Sequence, residues 1–107
     1  MEVLYSKNRV PIRLTAERWI HIVENHDDLA GKFHDVLETV AEPDVILAGQ
    51  AGELLAVRFL GRQMLVVAYK EISRADGFVI TAFQTSKGRQ LINARKSIWR
   101  KSRSSTH

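Results

Sequence analysis

Two imidazoles stand five residues apart in the stretch Thr15-Ala16-Glu17-Arg18-Trp19-Ile20-His21-Ile22-Val23-Glu24-Asn25-His26. Imidazole is suited to moving protons because its unperturbed pKa, about 6.5, lies near working pH. On a helix of 3.6 residues per turn the spacing sets His21 and His26 about 140° apart, so they cannot grip one metal ion as an i, i+4 pair does. The other candidates are polar residues that interrupt or end apolar strands: Arg58 after Leu54-Leu55-Ala56-Val57, Lys70 after Leu65-Val66-Val67-Ala68-Tyr69, Thr81 within Gly77 to Phe83, and Thr85 just beyond. An apolar strand carries such a residue cheaply only where it reaches solvent or a partner. Each has a plainer alternative. The cations can simply cap strand ends, Thr81 is a good strand former, His26 can be a half-buried imidazole bonded to a carbonyl, and His21 a solvated neighbour of Arg18. His34 matches no motif and reads as structural. Phosphate loop, dinucleotide fingerprint, nucleophile elbow and zinc motif are all missing, so no cofactor or metal is expected.

The elements that must position these residues follow from periodicity. Thr15 is a good N-cap and Glu17 suits the positive end of a helix dipole, which starts a helix at about Ala16. Trp19, Ile22, Val23 and His26 share one face of it, and Arg18, His21 and Asn25 another. Leu29, Phe33, Val36, Leu37 and Val40 predict a second helix from about Asp28 to Ala41, its first turn weakened by Gly31 and its end set by Pro43. The period then changes from 3.6 to 2. Strands are expected at Asp44 to Leu47, Glu53 to Leu60, Gln63 to Lys70 and Gly77 to Thr85, joined by short glycine-bearing turns. In the last of them Phe78, Ile80 and Ala82 are expected on one face, with Val79, Thr81, Phe83 and Thr85 on the other. The expected fold is α+β: two N-terminal helices packed on a four-stranded antiparallel sheet. Val10 to Leu14 reads as a lead-in or edge strand because Pro11 lacks an amide. Gln90 to Lys101 has helical spacing and a basic character.

At 107 residues the chain is one domain with one core. It has no cysteine, which suits a reducing cytoplasm, and no apolar run near the roughly 20 residues needed to span a bilayer. The net charge of +4 is unevenly spread. Seven of the sixteen basic residues (Lys87, Arg89, Arg95, Lys96, Arg100, Lys101, Arg103) follow Ser86 with no acidic residue among them, while all twelve acidic residues lie earlier. The expected division is therefore a body over 1–87 and a basic tail or helix over 88–107, which is either a phosphate-binding arm or a solvated end.

Several blocks in one order carry a resemblance: Arg13-Leu14-Thr15-x-Glu17-Arg18-Trp19-x-His21-Ile22-x-x-x-His26, Pro43-Asp44-x-Ile46, Gly52-Glu53-Leu54-Leu55-Ala56-Val57-Arg58 and Gly77-Phe78-Val79-Ile80-Thr81-Ala82-Phe83. Over residues 13 to about 86 the chain resembles phage-associated members of the barnase–EndoU–colicin–RelE-like (BECR) nuclease superfamily. The resemblance implies helices on a four-stranded sheet and a toxin-like, metal-independent endoribonuclease that cleaves RNA through its 2′-hydroxyl to a 2′,3′-cyclic phosphate. It also implies RNA as partner, with a cognate antitoxin or immunity protein. His21 or His26 would be base or acid, Arg58 and Lys70 would hold the phosphate, and Thr81 with Thr85 would donate to it. Because polar residues on apolar strands need solvent or a partner, His21, His26, Arg58, Lys70 and Thr81 are expected to converge on one cleft at the edge of the helix–sheet interface. Two other readings stay open: a non-catalytic nucleic-acid-binding module, and an accessory domain whose Ile98-Trp99 docks a protein.

Overall fold

Residues 2–102 are described by the computed structural model; Arg103 and the rest of the basic tail lie outside them. The order is β1 (Glu2–Tyr5), β2 (Pro11–Leu14), α1 (Ala16–Asn25), a 3-10 turn (Asp27–Leu29), α2 (Phe33–Ala41), β3 (Val45–Ala48), β4 (Leu54–Leu60), β5 (Gln63–Ser73), β6 (Asp76–Thr85), α3 (Gly88–Ala94) and β7 (Ser97–Arg100). Thr15 caps α1, its hydroxyl accepting from the Arg18 amide at 3.1 Å. The second helix begins later than its periodicity implies. Gly31 adopts φ 82°, a conformation that side-chain-bearing residues avoid, so Asp27–Leu29 closes as a separate turn and α2 starts at Phe33.

The expectation of a four-stranded antiparallel sheet under two helices is corrected. Among the described residues seven strands form one mixed sheet in the order β1-β2-β6-β5-β4-β3-β7, and there is a third helix. The antiparallel run β3-β4-β5-β6 is extended at both edges. On one side the β1–β2 hairpin joins β6 in parallel through Ile12 opposite Gly77 and Arg13 opposite Phe78. Pro11 does not prevent this, because the pairing with β6 begins one residue after it. On the other side β7 pairs antiparallel with β3. The helical spacing of Leu91, Ala94 and Ile98 is interrupted at Arg95, which turns extended (φ −123°, ψ 151°) and sends Ser97–Arg100 into the sheet. Residues 88–100 are thus built into the same sheet and its packing.

Apolar side chains fill both faces. On one, Ile22 of α1 and Val36, Leu37 and Val40 of α2 pack on Ile12, Leu14, Ala56, Leu65, Val67, Tyr69, Val79 and Ala82. On the other, Leu91 and Ile92 of α3 pack on a cluster that includes Val45, Leu47, Leu55, Val57, Met64, Val66 and Ala68. The chain reaches Met64 closely at Gly88, where an added Cβ would lie 1.4 Å from the Met64 sulfur. The sheet also curls around α2, as the Lys7 ammonium lies 3.6 Å from Glu42 at the end of that helix and 5.2 Å from the Trp99 ring of β7. Among the described residues no helix is long and apolar enough to cross a membrane.

Tyr69 is fully buried and its hydroxyl has no hydrogen-bond partner among the described residues. Burial, with Glu71 adding, pushes that hydroxyl's pKa upward. An unsatisfied buried hydroxyl costs about 1 to 3 kcal/mol, so Tyr69→Phe is expected to raise the melting temperature, measured by circular dichroism. A lowered value would mean that the hydroxyl is satisfied in solution.

Candidate nucleic-acid interface

The two faces of β6 differ from simple alternation, and the difference determines what the site contains. Along β5, Met64 opposes Thr85, Val66 opposes Phe83 and Ala68 opposes Thr81, but Tyr69 opposes Val79, leaving Ile80 as an extra residue. This bulge reverses the phase of the strand. Val79 and Ala82 both enter the helix-packed core, while Phe78 joins Thr81, Phe83 and Thr85 on the outer face. The expectation that Phe78, Ile80 and Ala82 share a face is corrected by that one residue.

One row of the outer face now reads Arg13, Phe78, Lys70, with Phe78 opposite both cations. Phe78 is half-buried and Lys70 exposed. Arg13 is held by Asp76, its Nε and Nη2 both 2.9 Å from the carboxylate oxygen. Lys70 and Arg18 form no ion pair among the described residues. Glu53 is a half-buried carboxylate whose pKa is lowered by hydrogen bonds from the Ala51 amide and its own, with Arg95 and Lys70 adding. Beyond this row Ile80, Thr81, Phe83 and Thr85 continue as a half-exposed strip. Leu91 and Ile92 of α3 lie on its sheet neighbours, and His26, at the end of α1, lies against it with its ring 6.2 Å from that of Phe83.

The six residues singled out by sequence are only partly gathered. Lys70, Thr81 and Thr85 share the outer face. His26 meets that face at Phe83, two residues from Thr81. Its ring nitrogens make no hydrogen bond to protein among the described residues, leaving them open for proton transfer. His21 is exposed on α1 and lines a recess of about 260 Å³ with Thr15, Glu17 and Arg18. A second recess of about 160 Å³, lined by Arg13, Thr15, Arg18, Phe78 and Val79, shares Thr15 and Arg18 with the first. Thr85 accepts a hydrogen bond from the Lys87 amide at 2.9 Å, which fixes the lead into α3. Arg58 is not brought to the others. It lies on the helix-packed side between Ala56 and Leu60 and pairs with Glu38 of α2, whose hydrogen bond raises the guanidinium pKa.

Arg13, Arg18 and Phe78 stand in the matching blocks but receive no role from them. Alternation in Pro11-Ile12-Arg13-Leu14 does signal Arg13, since Ile12 and Leu14 are both fully buried and Arg13 must face the other way. Nothing in the sequence marks the bulge that turns Phe78 toward it. The 3-10 turn is tied to the same strand through Gln84, which accepts from Lys32 at 3.1 Å and donates to Asp28 at 3.2 Å.

Comparisons with family models, curated proteins and solved structures found no match to this chain.

Proposed function

We propose that this chain is a metal-independent endoribonuclease that binds single-stranded RNA along the outer face of β6. The resemblance of the blocks between Arg13 and Phe83 supports the reaction. The observation that carries the location is the β6 bulge, which puts Phe78, Thr81 and Phe83 on one half-exposed strip between Lys70 and His26. The Phe78 ring stacks a base while Lys70, in no ion pair among the described residues, holds a backbone phosphate, a combination that tolerates any sequence. A cysteine-free chain acting on RNA suits the cytoplasm, and a toxin-like chain would be paired with a protein that neutralises it.

In the proposed step His26 takes the proton of a ribose 2′-hydroxyl as the 2′-oxygen bonds to phosphorus. The bond from phosphorus to the 5′-oxygen breaks, and an imidazolium, of His21 or of His26 after its first transfer, protonates the departing oxygen. The Thr81 hydroxyl, two residues from Phe83, stabilises the charge on the phosphorane, and Lys70, opposite Phe78, holds a phosphate further along the strand. The products are a 2′,3′-cyclic phosphate and a 5′-hydroxyl. Arg58 has no part in this step, being held by Glu38 across the sheet.

Incubation of the purified protein with total RNA in EDTA tests the reading. New 5′-hydroxyl and cyclic-phosphate ends are expected, and their formation should fall with Lys70→Ala. Binding without cleavage would instead favour the non-catalytic module, which the same cationic and aromatic row supports.

A further inference from the structure

The outer face has a second recess at the opposite end of β6. It encloses about 290 Å³ between the β4–β5 turn and α3, and its lining includes Phe59, Arg62, Met64, Ser86, Arg89 and Ile92. Phe59 is 49% exposed, more than the other three phenylalanines, and its ring is suited to a stacking platform. Arg62 and Arg89 approach from two different elements and form no ion pair among the described residues. Among the described residues no carboxylate lines the recess. The turn that carries Arg62 is held by Gly61 at φ 64°, and the wall that carries Arg89 is brought close by Gly88 over Met64.

From this geometry we infer that the recess is a distal nucleotide subsite, which takes a base of the same RNA strand on Phe59 and its flanking phosphates on Arg62 and Arg89. The inference rests on the reading that the outer face binds RNA, and it defines the substrate further. Phe78 and Thr85 lie seven residues apart on one strand, which at about 3.3 Å per residue is roughly 20 Å. A mono- or dinucleotide cannot occupy both ends. The preferred substrate is therefore a single strand of at least about 4 nucleotides, the lower limit for sheet surfaces that bind single strands. Guanidinium groups suit this role because they pair with phosphate oxygens bidentately and stack on aromatic faces.

The test compares the wild type with Arg62→Ala/Arg89→Ala and with Phe59→Ala on fluorescein-labelled oligouridylates of about ten and about two nucleotides. Each variant is first shown to melt like the wild type. With the longer probe, the double variant should bind about 10-fold more weakly or worse, and its log–log salt dependence should be shallower by about 1.4, roughly 0.7 for each lost phosphate contact on a single strand. Phe59→Ala should weaken binding of the longer probe about 5- to 100-fold, as loss of one stacked base does, without changing the slope. The short probe, which cannot span both ends, should bind the wild type far more weakly than the longer one. Tight wild-type binding with unchanged affinity and slope in the double variant overturns the subsite alone. Failure of the wild type to bind the longer probe overturns the RNA reading and the subsite with it.

Discussion

Replacing His26 by alanine is expected to lower the rate of RNA cleavage by about 10² to 10⁴, the contribution of a positioned proton-transfer group. The position supports this choice more than the residue type does, since four histidines are available. His26 ends α1, is half-buried against the Phe83 ring and makes no hydrogen bond to protein among the described residues. A structural imidazole in that setting would be bonded to a carbonyl or carboxylate. His34 serves as the contrast: exposed on α2, its ring sits 5.5 Å from Phe33, away from β6. Loss of the ring contact between His26 and Phe83 costs stability of about 0.5 to 1.5 kcal/mol at most, so His26→Asn, which keeps much of the volume, should melt near the wild type while losing the same activity. His21→Ala is the internal comparison. If His21 supplies the leaving-group proton its rate falls within the same range; if His26 acts alone, only His26→Ala is slow. Full activity in both variants would end the proposed mechanism.

How far the sequence could be read depends on how local each determinant is. The start of α1 is written in Thr15 and Glu17, which act within one turn, and the cap forms as expected. The antiparallel strands between Val45 and Thr85 are visible in a period of 2 broken by glycine turns, and Gly61 supplies the φ of 64° that a tight turn demands. Non-local choices left no such mark. Val3-Leu4-Tyr5 and Ile98-Trp99 are too short to show a period, and they become strands because β2 and β3 offer unpaired edges. The bulge at Ile80 arises from the register between β5 and β6 and changes the neighbours of every site residue before it in β6. The close packing of Gly77 is of the same kind: a Cβ there would meet the Lys70 carbonyl and Ile12 at 2.6 Å, but only once three strands have assembled. Arg58 shows the limit for the site, since a cation leaving an apolar strand looks the same whether it awaits phosphate or pairs with Glu38, twenty residues away.

Ending the chain at Arg95 is expected to cause a large loss of stability and to promote association. The truncation removes β7 and uncovers β3, whose Val45, Ile46 and Leu47 are all buried. Beyond the strand pairing it breaks the bonds from the Ala48 amide to the Lys96 carbonyl and from the Lys101 amide to the Asp44 carbonyl, 2.8 and 2.9 Å long. Each hydrogen bond contributes about 0.5 to 1.5 kcal/mol, so losing several of them takes a large part of the roughly 5 to 15 kcal/mol that holds a domain together. A new edge of apolar side chains with unpaired backbone groups then favours pairing between copies. A lowered melting temperature and early elution on size exclusion are the expected results; an unchanged monomer would mean that β7 does not hold this edge. Weak RNA binding by such a truncated chain would therefore say nothing about the charge of the tail. Substitution in the full chain separates the two effects. Lys96 and Arg100 sit beside and on β7, four strand spacings from β6, or about 19 Å at 4.8 Å each. Lys96→Gln/Arg100→Gln should keep both the fold and the salt dependence of binding, in contrast to Arg89, which the same basic tail delivers to the distal recess.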